Sequence, residues 1–136
     1  VLGRTKDVAV VGMGKSDLEE NLEKAVKRQG RVLTQEDNPE AGIYYRSDHF
    51  SFAKVGVPAL YAKGGSEPID EATAEYRKRT NLVVRGCYHQ VCDQFRENWD
   101  FGGVQEDTQM LFEVGYDIAN SDKWPQWSAA SEFQRK

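Results

Sequence analysis

The chain has 136 residues, of which 29% are charged and 39% are hydrophobic, and its formal net charge is −4. This length corresponds to one domain or a part of one. The acidic balance and the lack of a basic stripe argue against a nucleic-acid-binding protein, and no apolar run approaches the roughly 20 residues that a membrane span needs.

The first residues, Val1-Leu2-Gly3-Arg4, contain neither a start methionine nor a signal peptide. We therefore expect the chain to be a part of a longer polypeptide.

The first third of the chain alternates predicted strands and helices. Residues 7–11 form a short apolar run that is typical of a buried strand, and residues 31–34 are predicted to form a second short strand. Between them, Ser16 and Glu19 have the spacing of a capping box, and the helix that follows ends at Gly30. Its apolar face comprises Leu18, Leu22, Ala25 and Val26. This order predicts an α/β fold with a partly parallel sheet flanked by helices.

The rest of the chain continues the pattern less regularly. We expect a helix of about two turns from Ser47 or Asp48, and a strand over residues 58–62. Residues 70–80 are strongly charged and predicted to face solvent, with helix as one conformation open to them, and residues 81–99 are predicted to be irregular. The clearest helix spans residues 103–120, with a stripe of Val104, Thr108, Leu111, Val114 or Gly115, and Ile118. The tail, residues 121–136, is predicted to be peripheral, with Trp124, Pro125 and Trp127 laid against the body of the domain and the end frayed.

Two cysteines, Cys87 and Cys92, flank a Tyr-His pair. The sequence leaves two states open, reduced thiols and a short-loop disulfide, and the second requires an exported protein. A structural zinc site at these thiols is disfavoured, because such a site needs four ligands and no second cysteine pair exists.

Residues 9–16 are similar in order to a phosphate loop, since a strand, a glycine turn, Lys15-Ser16 and a helix follow one another. However, Ala9 stands where the pattern requires its first glycine. The early helix is also rich in acids, which would repel a phosphate. Nucleotide binding is therefore an alternative that we place behind a purely structural turn.

The two histidines are candidates for metal binding. His89 follows Tyr88 and precedes Asp93 by four residues, and imidazole is a good zinc ligand whose ring a nearby carboxylate can orient. His49 lies beside Asp48 at a predicted helix start, where it would cap the helix or support the site.

Three blocks carry a resemblance to a known family. Residues 46–60, which begin Arg-Ser-Asp-His and end Gly-Val-Pro-Ala-Leu, resemble a block of the bacterial two-zinc aminopeptidases, metallopeptidase family twenty-eight. Residues 88–93 resemble the Tyr-His-x-x-x-Asp block of that family, and residues 98–103 resemble its Asn-Trp-Asp-Leu-Ser-Gly segment. The resemblance covers nearly the whole chain and is weakest over residues 66–85. It implies that residues 1–136 are the C-terminal portion of a single zinc-aminopeptidase (phosphorylase/hydrolase-like) domain.

The resemblance also implies roles for individual residues. His89 would bind one of two zinc ions, and Asp93 would support it. Tyr88 or Tyr44, with Tyr45 as a third candidate, would stabilise the tetrahedral intermediate, since phenol donors suit a developing oxyanion. For each tyrosine, the alternative is a buried ring whose hydroxyl bonds to backbone.

On the substrate side, the resemblance places Asp48 and His49. The intact enzyme would remove N-terminal residues from peptides through a metal-bound hydroxide, and it would be exported.

This chain contains too few ligands for two zinc ions. It has only two histidines, and the pair Glu19-Glu20 lies in the first turn of a helix, where acids are expected anyway. We therefore expect the chain alone to bind zinc weakly or not at all and to hydrolyse nothing.

Three other interpretations stay open. They are a non-catalytic binding module of the same fold, the nucleotide binder, and a related two-zinc hydrolase such as a carboxypeptidase or an acylaminoacid hydrolase. A part of a domain would also expose apolar surface where the remainder packs, and this favours self-association.

Overall fold

The computed structural model describes residues 2–134. Its three strands form one sheet in the order β2-β1-β3, with β1 parallel to β2 and antiparallel to β3. A mixed sheet flanked by helices confirms the predicted α/β class. In chain order the elements are β1 (Asp7–Val10), α1 (Leu18–Arg28), β2 (Val32–Gln35), two 3-10 helices (Pro39–Ala41 and Ile43–Arg46), α2 (Phe50–Ala53), β3 (Ala62–Gly64), α3 (Glu71–Cys87) and α4 (Gly102–Ala119).

Helices α1 and α4 pack against each other and against β1 to form the hydrophobic core. All four residues of β1 are buried, as expected for a central strand with an apolar run. The predicted apolar face of α1 is confirmed, since all four of its residues are buried. The core cluster consists of Val8, Val10, Leu22, Ala25, Val26, Ala62, Met110 and Val114.

A buried ion pair connects α4 to the sheet. The Arg31 guanidinium donates to Asp107 at 2.9 Å, to the Thr5 hydroxyl at 2.7 Å and to the Asp7 carbonyl at 2.9 Å. The other carboxylate oxygen of Asp107 accepts from the Gly64 amide at 2.7 Å. Both charges are thus paired and hydrogen-bonded, the condition under which burial of charge is tolerated.

The predicted capping box at α1 is wrong in its details. Asp17 directly precedes the helix and makes no side-chain capping bond. Glu19 does reach back, but its carboxylate accepts from the amides of Gly14 and Lys15. The turn before the helix, rather than Ser16, therefore receives this carboxylate.

Three predictions for the middle of the chain also need correction. The strand predicted over residues 58–62 lies instead at Ala62–Gly64, and the helix predicted from Ser47 or Asp48 is the single turn Phe50–Ala53. Residues 71–87 form one helix, which extends into the stretch predicted to be irregular. The Asp70 carboxylate caps that helix by accepting from the Thr73 amide at 2.7 Å, so a local N-cap that the prediction overlooked initiates it.

The predicted C-terminal helix is confirmed, but only part of its predicted stripe faces the core: Val114 is buried and Ile118 packs against the core cluster. Two residues of the predicted stripe, Val104 and Leu111, are 37% and 43% exposed. The buried residues are Gly103, Asp107, Met110 and Val114. Apolar residues occur on both sides of α4, and the ion pair with Arg31 selects the side that faces the sheet.

Helix α3 differs from the other long helices because none of its residues is buried. It lies along a cleft of about 510 Å³ that it shares with β1, β3 and the residues after β2. Several large apolar side chains on α3 and in the loop after it are exposed: Leu82, Val83, Tyr88, Val91, Phe95 and Phe101. Among the described residues, no helix combines the length and apolarity that a membrane crossing requires.

Candidate functional site

The turn that follows β1 brings Tyr44 to the carboxyl end of the strand. Gly12 has a φ of +71°, which glycine adopts at no steric cost. The ring of Tyr44 packs directly on this glycine, since a Cβ at position 12 would lie 2.5 Å from Tyr44 Cδ2. Gly12 is therefore required for both the turn and the approach of Tyr44.

The backbone amides of this turn donate hydrogen bonds to carboxylates of the chain itself. The Gly12 amide donates to Glu36 at 3.0 Å, and the Gly14 and Lys15 amides donate to Glu19 at 2.7 and 3.1 Å. These are the groups that would bind a phosphate in a nucleotide-binding loop. The geometry therefore favours a structural turn over a nucleotide site.

Tyr44 is the best-enclosed of the candidate tyrosines. It is 3% exposed, and its buried hydroxyl has no hydrogen-bond partner among the described residues. Burial, with smaller contributions from Glu132, Tyr45 and Glu19, raises the pKa of Tyr44 to about 12. The phenol consequently stays protonated at neutral pH and retains a proton that it can donate.

His49 packs beside Tyr44. Its ring lies edge-on to that of Tyr44, with 4.4 Å between centroids, and tilted against Tyr61 at 5.4 Å. Burial lowers the pKa of His49, while the charge of Asp48 opposes this shift. The imidazole is thus neutral at pH 7, and its buried Nε2 has no hydrogen-bond partner among the described residues.

A cavity of about 400 Å³ lies next to this histidine. Its lining consists of Ser47, Asp48, His49, Leu60 and Tyr61. The structure thus brings together Tyr44, Asp48 and His49, the candidates from the first block.

His89 lies on an exposed loop directly after α3. A disulfide joins Cys87 and Cys92, which decides between the two states that the sequence left open. His89 has a φ of +58°, the one positive φ of a non-glycine residue within 2–134. Its ring stacks on Tyr88 with 3.9 Å between centroids and 20° between planes. Within residues 2–134, the contacts that shape this loop are thus local ones.

Asp93 supports this loop through the backbone and not through the imidazole. Its carboxylate accepts from the His89 backbone amide at 3.4 Å. Asp93 therefore holds the loop in shape and leaves the ring nitrogens of His89 to other partners.

Helix α3 runs in the direction of the carboxyl end of β1, where Tyr44 lies, and the His89 loop follows the helix. The helix starts near the amino end of β1, where Thr73 and Tyr76 surround Gly3. Farther along, Arg85 lines the same cleft as Ile43, the residue before Tyr44. No hydrogen bond or ring contact in the described part of the chain joins the two groups of candidates.

The residues present do not by themselves fit a two-zinc centre. Within residues 2–134, no group of three or more His, Cys, Asp or Glu side chains is placed to hold a metal ion. The carboxylate near His89 is bonded to backbone, whereas a co-catalytic site needs several ligands that converge on both metals.

Sequence reasoning missed the contribution of the C-terminal segment to this region. The Glu132 carboxylate accepts from Lys15 Nζ at 2.8 Å and from the Tyr45 hydroxyl at 2.7 Å, and the ring of Phe133 stacks on Tyr44 with 5.9 Å between centroids. No local pattern could have indicated a pairing across 117 positions.

Comparison with known proteins identifies the family. The model of Peptidase family M28 matches residues 1–113, a span that contains every residue proposed above for the Tyr44 and His89 groups. No curated protein and no solved structure gives a significant match. The match confirms the resemblance carried by the three sequence blocks, and the chain belongs to peptidase family M28, whose members are zinc-dependent peptidases.

Proposed function

We propose that this chain is the C-terminal portion of the catalytic domain of an exported zinc aminopeptidase, and that alone it hydrolyses no peptide. The observation that carries the proposal is the family match over residues 1–113. The three blocks at residues 46–60, 88–93 and 98–103 support the narrower assignment to an aminopeptidase. Peptides are accordingly the proposed substrates.

His89 is the zinc ligand that we assign to this chain, with the remaining ligands supplied by other parts of the domain. Its support is the placement of the ring on an exposed loop that the disulfide, Asp93 and Tyr88 hold in shape. Such a loop presents a ring without a large ordering cost on binding.

Tyr44 is the tyrosine that we propose for stabilising developing negative charge on the substrate. Its support is a buried, protonated hydroxyl without a hydrogen-bond partner among the described residues, at the carboxyl end of the central strand. A donor held in a water-poor site stabilises an oxyanion strongly. Asp48 and His49, beside the 400 Å³ cavity, are proposed to contact the substrate side. Tyr88, which is 63% exposed, is the second candidate.

The metal assignment is tested in the peptidase domain that contains this chain. His89→Ala should remove bound zinc and most of the hydrolysis of a chromogenic aminoacyl anilide, measured by elemental analysis and absorbance. Gln90→Ala is the matched control, because it alters an exposed side chain of the same loop. Equal zinc content and activity in the two variants would refute the role of His89.

The incompleteness of the chain is tested with residues 1–136 alone. Calorimetric titration with zinc should show weak binding or none, and the aminoacyl anilide should not be hydrolysed. Tight binding of two zinc ions would contradict the proposal.

The exposed apolar side chains of α3 and α4 give a further expectation. Phe112 and Tyr116 on α4, 68% and 59% exposed, add to those of α3. A surface of this kind favours association, and we expect light scattering to show self-association of the isolated chain. A monomer at all concentrations would count against a missing packing partner.

A further inference from the structure

The C-terminal segment over residues 126–133, which we call the strap, crosses the turn after β1. Gln126 and Asp17 exchange two hydrogen bonds, of 2.8 and 3.1 Å. The Ser128 amide donates to the Lys15 carbonyl at 2.8 Å, and the Ser128 hydroxyl donates to the Gly14 carbonyl at 2.7 Å. The strap is thus bonded along the turn on which Tyr44 rests.

Two aromatic residues of the strap complete the enclosure of Tyr44. Trp127 is 9% exposed and donates from Nε1 to the Gly56 carbonyl at 3.1 Å. Phe133 packs on Trp127 with 5.2 Å between centroids and stacks on Tyr44 at 5.9 Å. The strap therefore forms one wall of the space that holds the phenol.

Glu132 connects the strap to Lys15 and to Tyr45, the residue after Tyr44. Its carboxylate accepts from Lys15 Nζ and from the Tyr45 hydroxyl. The Lys15 ammonium lies over three rings, 4.9 Å from that of Tyr44, 5.6 Å from that of Tyr45 and 5.5 Å from that of Phe133. Cation–π attraction adds to the ion pair here, because the ammonium is largely shielded from water, at 17% side-chain exposure.

We propose that the strap is a positioning element for Tyr44 and that Glu132 is the residue that keeps it closed. The hydroxyl of Tyr44 has no hydrogen bond to fix it within the described residues. In that part of the chain the ring is held by its packing contacts and by the Lys15 ammonium, which lies over it. Gly12 supports one side of the ring, His49 packs against it at a steep angle and Phe133 covers another side. Glu132 directly precedes Phe133 in the chain, so its bonds to Lys15 and Tyr45 help to hold Phe133 against Tyr44, together with the ring contacts of Phe133 to Trp127 and Phe50.

The family match ends at residue 113 and assigns nothing to this segment. The positioning itself follows from the contacts above. Only its consequence for catalysis rests on the proposed function of Tyr44.

The first experiment measures the position of Tyr44 in the 136-residue chain. Tyrosine labelled with ¹³C at Cζ is titrated by NMR in Glu132→Gln and in Phe133→Leu, with Glu75→Gln on exposed α3 as control. The groups that face the phenol are Lys15, Glu19, Tyr45, His49 and Glu132.

Both strap variants should lower the pKa of Tyr44 from about 12 toward its ordinary value of 10.0 and should speed hydrogen exchange at the Ser128 amide. Phe133→Leu removes no charge, so a fall in that variant reports loss of enclosure and not loss of the Glu132 charge. Circular dichroism verifies that each variant is folded. An unchanged pKa in Phe133→Leu, together with slow exchange at Ser128 in Glu132→Gln, would overturn the proposal.

The second experiment measures catalysis in the peptidase domain that contains this chain. Glu132→Gln should lower kcat by about 10- to 100-fold with little change in KM and full zinc content, because a small misplacement of a catalytic group is costly. Unchanged kcat with an opened strap would overturn the catalytic consequence. If the parent domain has no peptidase activity, the proposed function fails, while the NMR titration still decides whether the strap positions Tyr44.

Discussion

Helices α1 and α3 contrast two regions of the molecule. The 11-residue α1 buries four apolar residues in the core, whereas the 17-residue α3 buries none. Around α1, the sheet, α4 and the strap form a packed body with a buried ion pair. Helix α3 and the loop that carries His89 are held by an N-cap, a few polar bonds and a disulfide. The buried contacts of the chain are thus concentrated around α1, while the proposed metal ligand lies in a region with few of them.

Removal of Asp107 should have the largest effect on stability. Asp107→Ala leaves the Arg31 guanidinium buried without its charged partner, which typically costs about 3–5 kcal/mol. Urea unfolding measures the loss. Glu113→Ala is the control, because its pair with Arg28 is exposed to solvent and surface pairs of this kind contribute little to stability. Equal losses would mean that the interior pair does not hold α4 to the sheet.

Two leucines test the contrast directly. Leu22 in α1 is fully buried and Leu82 in α3 is 74% exposed. Leu22→Ala should cost about 2–5 kcal/mol, as cavity-forming substitutions do, whereas Leu82→Ala should lie within about 0.5 kcal/mol of the parent chain. A comparable loss for Leu82→Ala in chemical denaturation would show that α3 belongs to the packed body.

Removal of the disulfide should act locally. In the chain-entropy account, closing a loop this short stabilises the folded state by about 2 kcal/mol. The core should lose little of this stability, because none of the residues of α3 is buried in it. In a Cys87→Ser, Cys92→Ser variant, hydrogen exchange should rise at the Gln90 and Asp93 amides, which bond within the loop. The melting temperature should move little. A large drop would indicate that the loop supports the core.

Acid should loosen the Tyr44 group through His49, with the smallest of these effects. Burial lowers the pKa of His49 below its ordinary 6.5, against the opposing charge of Asp48. The unfolded chain therefore takes up a proton first, and stability falls as pH drops below 6.5 toward the lower folded value. Unfolding measured against pH should lose this slope in His49→Gln and keep it in His89→Gln. If the slope disappeared in His89→Gln and stayed in His49→Gln, the pH dependence would not come from His49.

Much of the fold was predictable because it depends on short-range patterns. The buried strand at residues 7–10, the face of α1 and the existence of α4 follow from apolar periodicity. The extent of α3 was not predictable, because none of its residues is buried and it therefore has no apolar stripe facing the core. The strand at Ala62–Gly64 was misplaced because pairing with β1, and not composition, sets its register.

The candidate site was predictable only in part. The Ser-Asp-His and Tyr-His blocks pointed to Tyr44, His49 and His89 through a family resemblance, and the family match confirms that family. The packing of Tyr44 on Gly12 and the neutral state of His49 depend on burial, which no short block encodes.

The sequence by itself determined the fold class and the family, because both depend on local periodicity and on short blocks of residues in order. The tertiary structure decided which side of α4 faces the sheet, how the amides of the glycine turn are satisfied and what encloses Tyr44. These features depend on contacts such as Arg31 with Asp107 and Lys15 with Glu132, which join residues 76 and 117 positions apart. Pairings over such distances leave no local pattern, so only the folded chain could show them.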